Sequence, residues 1–477
     1  MRPINGALPI IARFRLNPCR VPLFAVTIFL SSFLLFLVQP LIAKQILPWF
    51  GGAAGVWTTC LVFFQSALLL GYAYPDLVAR KLDARRQAWL HTLLLLASCA
   101  FLPVVAGEFW KPAGDANPIL GILALLAGVI GLPYVMLSTT SPLLQTWFAA
   151  SFPGASPYRL FALSNLASML ALLSYPFIIE PAIGVQLQAR IWSILYALFA
   201  LLVIACAFRA ARAAPAAAPR PDLAAAAAEA AAEPAPAAAT QAMWCALSAT
   251  GSILLLGIST HVTQNISSIP LLWVVPLALY LLTFILTFDG RGWYRRGGFM
   301  LATGVWLAAM GATLVTPALR FELKFQIALF FSGLFVVCMF CHGELTYLKP
   351  APRHLTRFYL MVALGGACGA FLTGIVAPLT LNAYYELELG LTLAALLLLT
   401  RLGPQAARSA RAGAALLVVG GIGVTTTHAI TIQKDAIFTG RNFYTVLRVK
   451  EYGKADDELR MRVLVHGVIN HGEQFMA

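Results

Sequence analysis

The sequence predicts an all-α multipass membrane protein: about twelve transmembrane helices in two pseudo-repeated halves, ended by a short C-terminal β-hairpin. Three observations carry that prediction. With 60% hydrophobic and only 11% charged residues and a mean hydropathy of +0.81, the 477-residue chain has far more apolar surface than a water-soluble globule can hide. Apolar runs long enough to cross a bilayer recur along it, separated by short basic loops. An alanine-rich run with five prolines, residues 209–241, divides two apolar stretches of similar size.

Arg2, Arg13, Arg15 and Arg20 precede the apolar run 21–46. That run is longer than the roughly 7–15 residues of a signal-peptide core, so it reads as an uncleaved first span. Five more spans follow at 54–78, 90–106, 118–135, 159–181 and 188–208. The dividing run has nothing large to bury and reads as a solvated connector. Its one candidate helix starts at an Asp222 cap and stops at Glu233, before Pro234. Six spans come after it, at 243–264, 271–288, 299–315, 325–341, 358–378 and 388–402, with a weaker thirteenth candidate at 412–430. The domains are therefore 1–208 (first half), 209–241 (linker), 242–430 (second half) and 431–477 (tail).

A net charge of +14 suggests nucleic-acid binding in a soluble protein, but here the excess Lys and Arg lie mostly in short loops, where they set topology. With a cytoplasmic N-terminus, the connections 80–86, 151–159, 289–296, 349–357 and 401–411 and the linker fall inside and are nearly all basic. Connections 51–55 and 380–385 fall outside and are poor in Lys and Arg. A thirteenth crossing would put the tail outside. The eight cysteines sit mostly in apolar runs, where Cys behaves as a small hydrophobe, and imply no disulfide framework.

The halves echo each other. The fifth span opens at Arg159 and closes at Glu180-Pro181; the eleventh opens at Arg357 and closes at Ala377-Pro378, with small residues one to three turns into each. This predicts a parallel repeat of six spans. In the tail, Tyr444–Val449 and Arg460–Val465 alternate around a polar turn with Gly453 and read as a hairpin, with a third strand at 468–470.

Several segments carry a resemblance: FLVQPLIAKQILPWFGG from Phe36, STTSPLLQTWF from Ser138, YRLFALSNLASMLALLSYPF from Tyr158, PLLWVVPLALYLLTF from Pro270, CHGEL from Cys341 and RNFYTVLRV from Arg441. Together they resemble bacterial membrane proteins in which a major-facilitator-like region is fused to a spermidine-synthase-like domain. The resemblance implies a multipass protein of the bacterial inner (plasma) membrane. It also implies that Arg441–Tyr444, Leu464–Gly467 and His471–Gln474 open an aminopropyltransferase-like domain. The glycine-rich loop and acidic residues that such a domain needs for decarboxylated S-adenosylmethionine and the amine are not in this sequence. The expectation is thus no catalytic residue, no cofactor and no metal in this chain, with the lipid bilayer and a small solute or polyamine as partners and no nucleic acid.

Ionisable groups at membrane depth are costly and therefore informative. Lys44, Glu180, His261 and Glu386 fall toward the outer face and are candidates for lining one vestibule. Gln39, Gln65 and Asn165, with Gln264 and Asn265 nearer that face, are candidates for hydrogen bonds to a polar or cationic solute. Against this stands the ordinary role of such residues, interhelical hydrogen bonding and snorkelling. Cys338-Met-Phe-Cys341-His342 matches a haem-attachment pattern but ends a span on the wrong side for it. His342, Glu344 and His354 cluster with Lys349, Arg353 and Arg357, and pairing of Glu344 with a nearby Arg accounts for them. Three functions fit: the non-catalytic membrane portion of a synthase-like fusion, a major-facilitator-like transporter of a small polar or cationic solute such as a polyamine, and a scaffold that docks a separate synthase domain.

Overall fold

The computed structural model describes residues 21–51, 54–112, 117–152, 158–213, 235–265, 274–288, 292–316, 322–351, 354–434, 436–453, 460–466 and 469–476. The candidate linker helix 222–233 lies outside them. Among the described residues, thirteen helices cross or line the bundle. In the first half they are α1 (Val21–Phe50), α2 (Ala54–Lys81), α3 (Ala84–Ser98), α4 (Pro118–Ser151), α5 (Tyr158–Ser174) and α6 (Val185–Ala213). In the second they are α7 (Ala238–Asn265), α8 (Val274–Phe288), α9 (Arg296–Val315), α10 (Leu323–Tyr347), α11 (Leu355–Phe371) and α12 (Glu386–Leu402), followed by α13 (Arg408–Gln433). Among the described residues, ten helices are long and apolar enough to cross a bilayer. The last helix of the first half and the first of the second reach into the stretch assigned to the linker, to Ala213 and from Ala238.

Two of the expected spans, the third and the fourth, shift for physical reasons. The fourth span runs on to Ser151, past the expected 135. Its hydroxyl-rich stretch looks polar in sequence, but Ser138, Thr139 and Thr140 donate back to carbonyls of their own helix at 2.8–2.9 Å and so need no water. The third helix starts earlier and ends earlier than 90–106. Asp83 caps it by accepting from the Arg86 amide at 2.8 Å, and the chain leaves the α-helix after Ser98.

The predicted echo is built into the backbone. α5 continues through one wide π-helical turn, Tyr175–Ile179, into Glu180–Ala182; α11 continues through Leu372–Val376 into Ala377–Thr380. Each wide turn precedes a proline, Pro181 or Pro378, that has no N–H for the carbonyl four residues back. Packing repeats the same relation. In the first half α1 packs on α5, α4 and α6, and α2 on α4; in the second α7 packs on α11, α10 and α12, and α8 on α10. The halves meet through two equivalent pairs, α2 with α11 and α5 with α8. A large apolar core fills each half, with Phe161 and Leu172 of α5 joining that of the second, and a smaller cluster around Phe24, Trp147 and Phe148 lies in the first.

The weak thirteenth candidate is a full helix. α13 lies on the outside against α12 and α9, with Ala414 and Ile432 its buried residues among those described. It leads to four strands, β1 (Ala436–Arg441), β2 (Val446–Tyr452), β3 (Met461–His466) and β4 (Ile469–Phe475), in one antiparallel sheet in sequence order. The expected hairpin is β2–β3, and the expected third strand is β4. β1 was not foreseen, because Ala436–Arg441 alternates poorly and directly follows an apolar run. The bundle thus has a basic end, with Arg86, Arg159, Arg296, Arg357 and Arg401, and an opposite tail end, where the sheet packs against the α1–α2 and α11–α12 connections.

Candidate functional site

At the basic end the two halves are joined by aromatic side chains. The Phe161 ring of α5 stacks on Tyr359 of α11 with centroids 4.8 Å apart, and packs against Phe288 (4.8 Å) and Phe284 (5.9 Å) of α8. Tyr359 donates to Gln145 Oε1 of α4 at 2.9 Å, and Thr356 donates to Asp76 Oδ1 of α2 at 3.1 Å. Both bonds cross between the halves, and Asp76 is buried.

Midway along the bundle the seam is lined by uncharged polar groups. A Cβ added at Gly366 of α11 would sit 3.4 Å from Gln65 Oε1 of α2, 3.5 Å from Ser252 Oγ and 3.6 Å from Ser248 Oγ of α7. These side chains therefore converge on one point of the α2–α7–α11 junction, with the buried Tyr280 of α8 beside the two serines. Ser248 also donates to the Val362 carbonyl of α11 at 2.7 Å. The approach of α7 to α11 is possible because Gly365 and Gly369 have no Cβ to collide with the Cys245 and Ala249 backbones. Gln39 of α1 donates to the Tyr134 hydroxyl of α4 at 3.2 Å, and that ring packs 4.9 Å from Phe64 of α2. Among the described residues, the middle turns of the helices hold no Asp, Glu, Lys or Arg.

His342 of α10 is fully buried, and its neighbours fix its tautomer. Thr283 donates its one hydroxyl proton to the Tyr280 carbonyl at 2.7 Å, so it accepts from His342 Nδ1, also at 2.7 Å. The Nε2 lone pair faces the gap at Gly251, and the ring stacks on Phe284 with centroids 3.6 Å apart.

The predicted site residues fall into several places. Lys44 and Glu180 form an ion pair between α1 and the end of α5 near the tail end, both side chains partly exposed. Gln65 lies at the seam as described, whereas Gln39 bonds within the first half, to Tyr134. Asn165 donates to the Phe161 carbonyl of its own helix at 2.9 Å. His261 packs on Phe330 of α10, with ring centroids 4.5 Å apart. Gln264 and Asn265 end α7, and their side chains lie outside the described residues. Glu386 does not share a vestibule with Lys44 and Glu180: it is buried under the tail, 2.5 Å from Arg441 Nη2. The expected single vestibule is thereby corrected to one ion pair and separate contacts, because the tail sheet takes up Glu386.

Glu344 is paired, but with other arginines than those expected. Its fully buried carboxylate accepts from Arg296 Nε and Arg401 Nε at 2.7 Å and from the Tyr294 hydroxyl at 2.9 Å, tying together the ends of α9, α10 and α12. Burial and the Glu344 carboxylate push the Tyr294 hydroxyl well above its ordinary pKa. Arg357 turns instead to Gln241 Oε1 at 2.9 Å; Arg353 lies outside the described residues. Sequence reasoning missed the His428–Glu388 pair, 2.5 Å apart between α13 and α12, as well as Tyr134, Ser248, Ser252 and Tyr280. The only available hint was the i, i+4 spacing of Ser248 and Ser252 on one helix face.

No family model matches the chain, and no curated protein matches it by sequence. Solved structures do match in fold. A double-tryptophan mutant of XylE superimposes with a TM-score of 0.51 at 11% identity, over 83% of this chain and 99% of that one. The major facilitator superfamily proton:xylose symporter XylE bound to 6-bromo-6-deoxy-D-glucose gives 0.49 at 11% identity, over 86% and 95%. The nucleoside transporter NupG (a point mutant) gives 0.44 at 14%, over 84% and 99%. At these identities only the fold is shared, and the first of the three carries that conclusion. The chain is a multipass membrane protein with a major-facilitator-like fold and a C-terminal antiparallel β-sheet.

Proposed function

We propose that this chain is a carrier that moves a small, uncharged polar solute across a bacterial inner membrane through the seam between its halves. The observation that carries the reading is the mid-bundle convergence of Gln65, Ser248 and Ser252 at Gly366, with Tyr280 beside the two serines, on helices of both halves. Amides and hydroxyls in a dry interior recognise hydroxyl and amide groups by hydrogen bonding. A polyamine dication in the same place would need paired carboxylates to offset its desolvation. Those are absent from the middle turns among the described residues, which favours a neutral solute over a polyamine. The distribution of Arg and Lys supports a cytoplasmic basic end and N-terminus.

The test is a melting-temperature panel on the purified protein with polyols, nucleosides, putrescine and spermidine, repeated on Gln65→Leu and Ser252→Val. A neutral solute should stabilise the wild type, and each variant should need roughly tenfold more of it, the cost of about one hydrogen bond. Stabilisation by spermidine alone would overturn the neutral-solute reading. A second reading rests on the sequence resemblance of the tail, in which Arg441 ends β1 and Leu464–His466 lie in β3: a membrane portion of a spermidine-synthase-like fusion. Its test is a binding and aminopropyl-transfer assay on the purified chain with a separately supplied synthase domain: binding of that domain to the tail supports it, and no binding removes it.

A further inference from the structure

The turn between β1 and β2 touches both halves of the bundle. On one side Arg441 Nη1 donates to the Ala383 carbonyl at 2.8 Å, and Nη2 donates to Glu386 Oε1 at 2.5 Å. The guanidinium also lies 4.5 Å from the centre of the Tyr384 ring. All three partners belong to the α11–α12 connection or the start of α12, in the second half. Arg441 and Glu386 keep 6% and 8% of their side-chain surface, so this is a desolvated pair with its remaining donor and ring contacts filled, and not a surface ion pair.

Two residues on, the chain reaches the first half. The Phe443 side chain packs against that half's apolar core. Its backbone carbonyl lies so close to Gly55, at the start of α2, that any Cβ there would collide with it. Tyr444 Cε1 is 3.8 Å from where a Cβ of Gly51 would stand, in the α1–α2 connection, and Gly51 has φ +82°, a conformation suited to glycine. Between the two contacts the turn is stiff. Asn442 Oδ1 accepts from the Tyr444 and Thr445 amides, each at 2.9 Å, and the Asn442 amide donates to the Thr445 carbonyl at 2.9 Å.

We propose that Arg441–Tyr444 is a clasp that holds the tail-end tips of α2 and α11 at a fixed separation. Four residues grip the α1–α2 connection of one half and the α11–α12 connection of the other. The bundle beneath supports the same closure, since a Cβ at Gly374 in the wide turn of α11 would press on Thr58 and Val62 of α2. The halves of a major-facilitator-like fold alternate by rocking against each other. With the clasp seated, parting at the tail end is confined to the α5–α8 side; parting at α2–α11 requires Arg441 to leave Glu386. This consequence rests on the carrier reading, whereas the clasp itself does not.

The experiment measures the α1-to-α11 distance in the full chain, reconstituted in nanodiscs without any solute. Genetically encoded spin-label residues at Pro48 and Leu379, both exposed, leave the native cysteines in place. Double electron–electron resonance should give one narrow distance in the otherwise unaltered chain. Arg441→Met and Phe443→Ala, which cut the clasp on opposite sides, should each lengthen and broaden it, by on the order of 5 Å. Phe443→Ala leaves the buried ion pair intact, so it reports on the clasp even where Arg441→Met does not fold. An unchanged narrow distance in a folded Phe443→Ala chain overturns the proposal. Uptake measured on the same samples separates the two readings. Altered distances without uptake of any solute leave the clasp standing and remove the carrier; uptake with unaltered distances does the reverse.

Discussion

At the scale of single residues, the buried carboxylates are tied to structure. Glu344 has every oxygen engaged by Arg296, Arg401 and Tyr294, so its removal leaves two guanidinium groups without their counter-charge. Glu344→Ala should destabilise the second half by about 3–5 kcal/mol, seen as a lower melting temperature in detergent; a melting temperature within error of wild type would remove this role. The Lys44–Glu180 pair is partly exposed, and Glu180→Gln should leave stability within about 1 kcal/mol of wild type. Gly369→Val should prevent folding of the second half, because its side chain would enter the Ala249 backbone. The sequence marked Gln39, Gln65, Lys44 and Glu180 as costly groups at membrane depth, and each has a polar neighbour. Their partners were illegible, because Tyr134 stands 95 positions from Gln39, and Glu180 stands 136 from Lys44. The burial of Glu386 was illegible for the same reason: its partner, Arg441, lies in a segment that read as an independent tail.

At the scale of elements, hydropathy located the helices, while side-chain chemistry moved their ends. α4 continues through its hydroxyl-rich stretch because each hydroxyl finds a carbonyl one turn back, which a hydropathy window cannot register. α5 and α11 were legible as a pair from their terminal prolines; the wide turns that those prolines accompany were not. In the tail sheet, Glu451 accepts from Arg460 Nη2 at 2.7 Å and from Arg462 Nε at 3.0 Å, and these bonds hold its carboxyl below the ordinary 4.5. A lowered carboxyl pKa adds stability that is present above the unfolded value and is lost as pH falls through the folded one. The β2–β3 amides should therefore exchange faster with solvent as pH drops below about 4.5, after correction for intrinsic rates. Protection that stays constant from pH 6 to 3 would contradict the assignment.

At the scale of the whole molecule, the Lys81–Ala84 connection lies at the basic end and the sheet at the opposite, tail end. A reporter inserted between Lys81 and Ala84 and one placed after the tail sheet should report opposite sides of the membrane; the same side for both would exclude α13 as a crossing. The two-half plan was legible from the alanine-rich divider and the echoed fifth and eleventh spans. The docking of the sheet across both halves was not, because it depends on a four-residue turn meeting two connections more than fifty positions apart from it or from each other.

The most direct test of the central claim, that the neutral seam is a solute path, is solute counterflow. Proteoliposomes loaded with an unlabelled neutral solute from the melting panel should accumulate the labelled form transiently, and Gln65→Leu should reduce the peak while leaving the protein folded. Counterflow absent for every neutral solute, or seen only with spermidine, would contradict it.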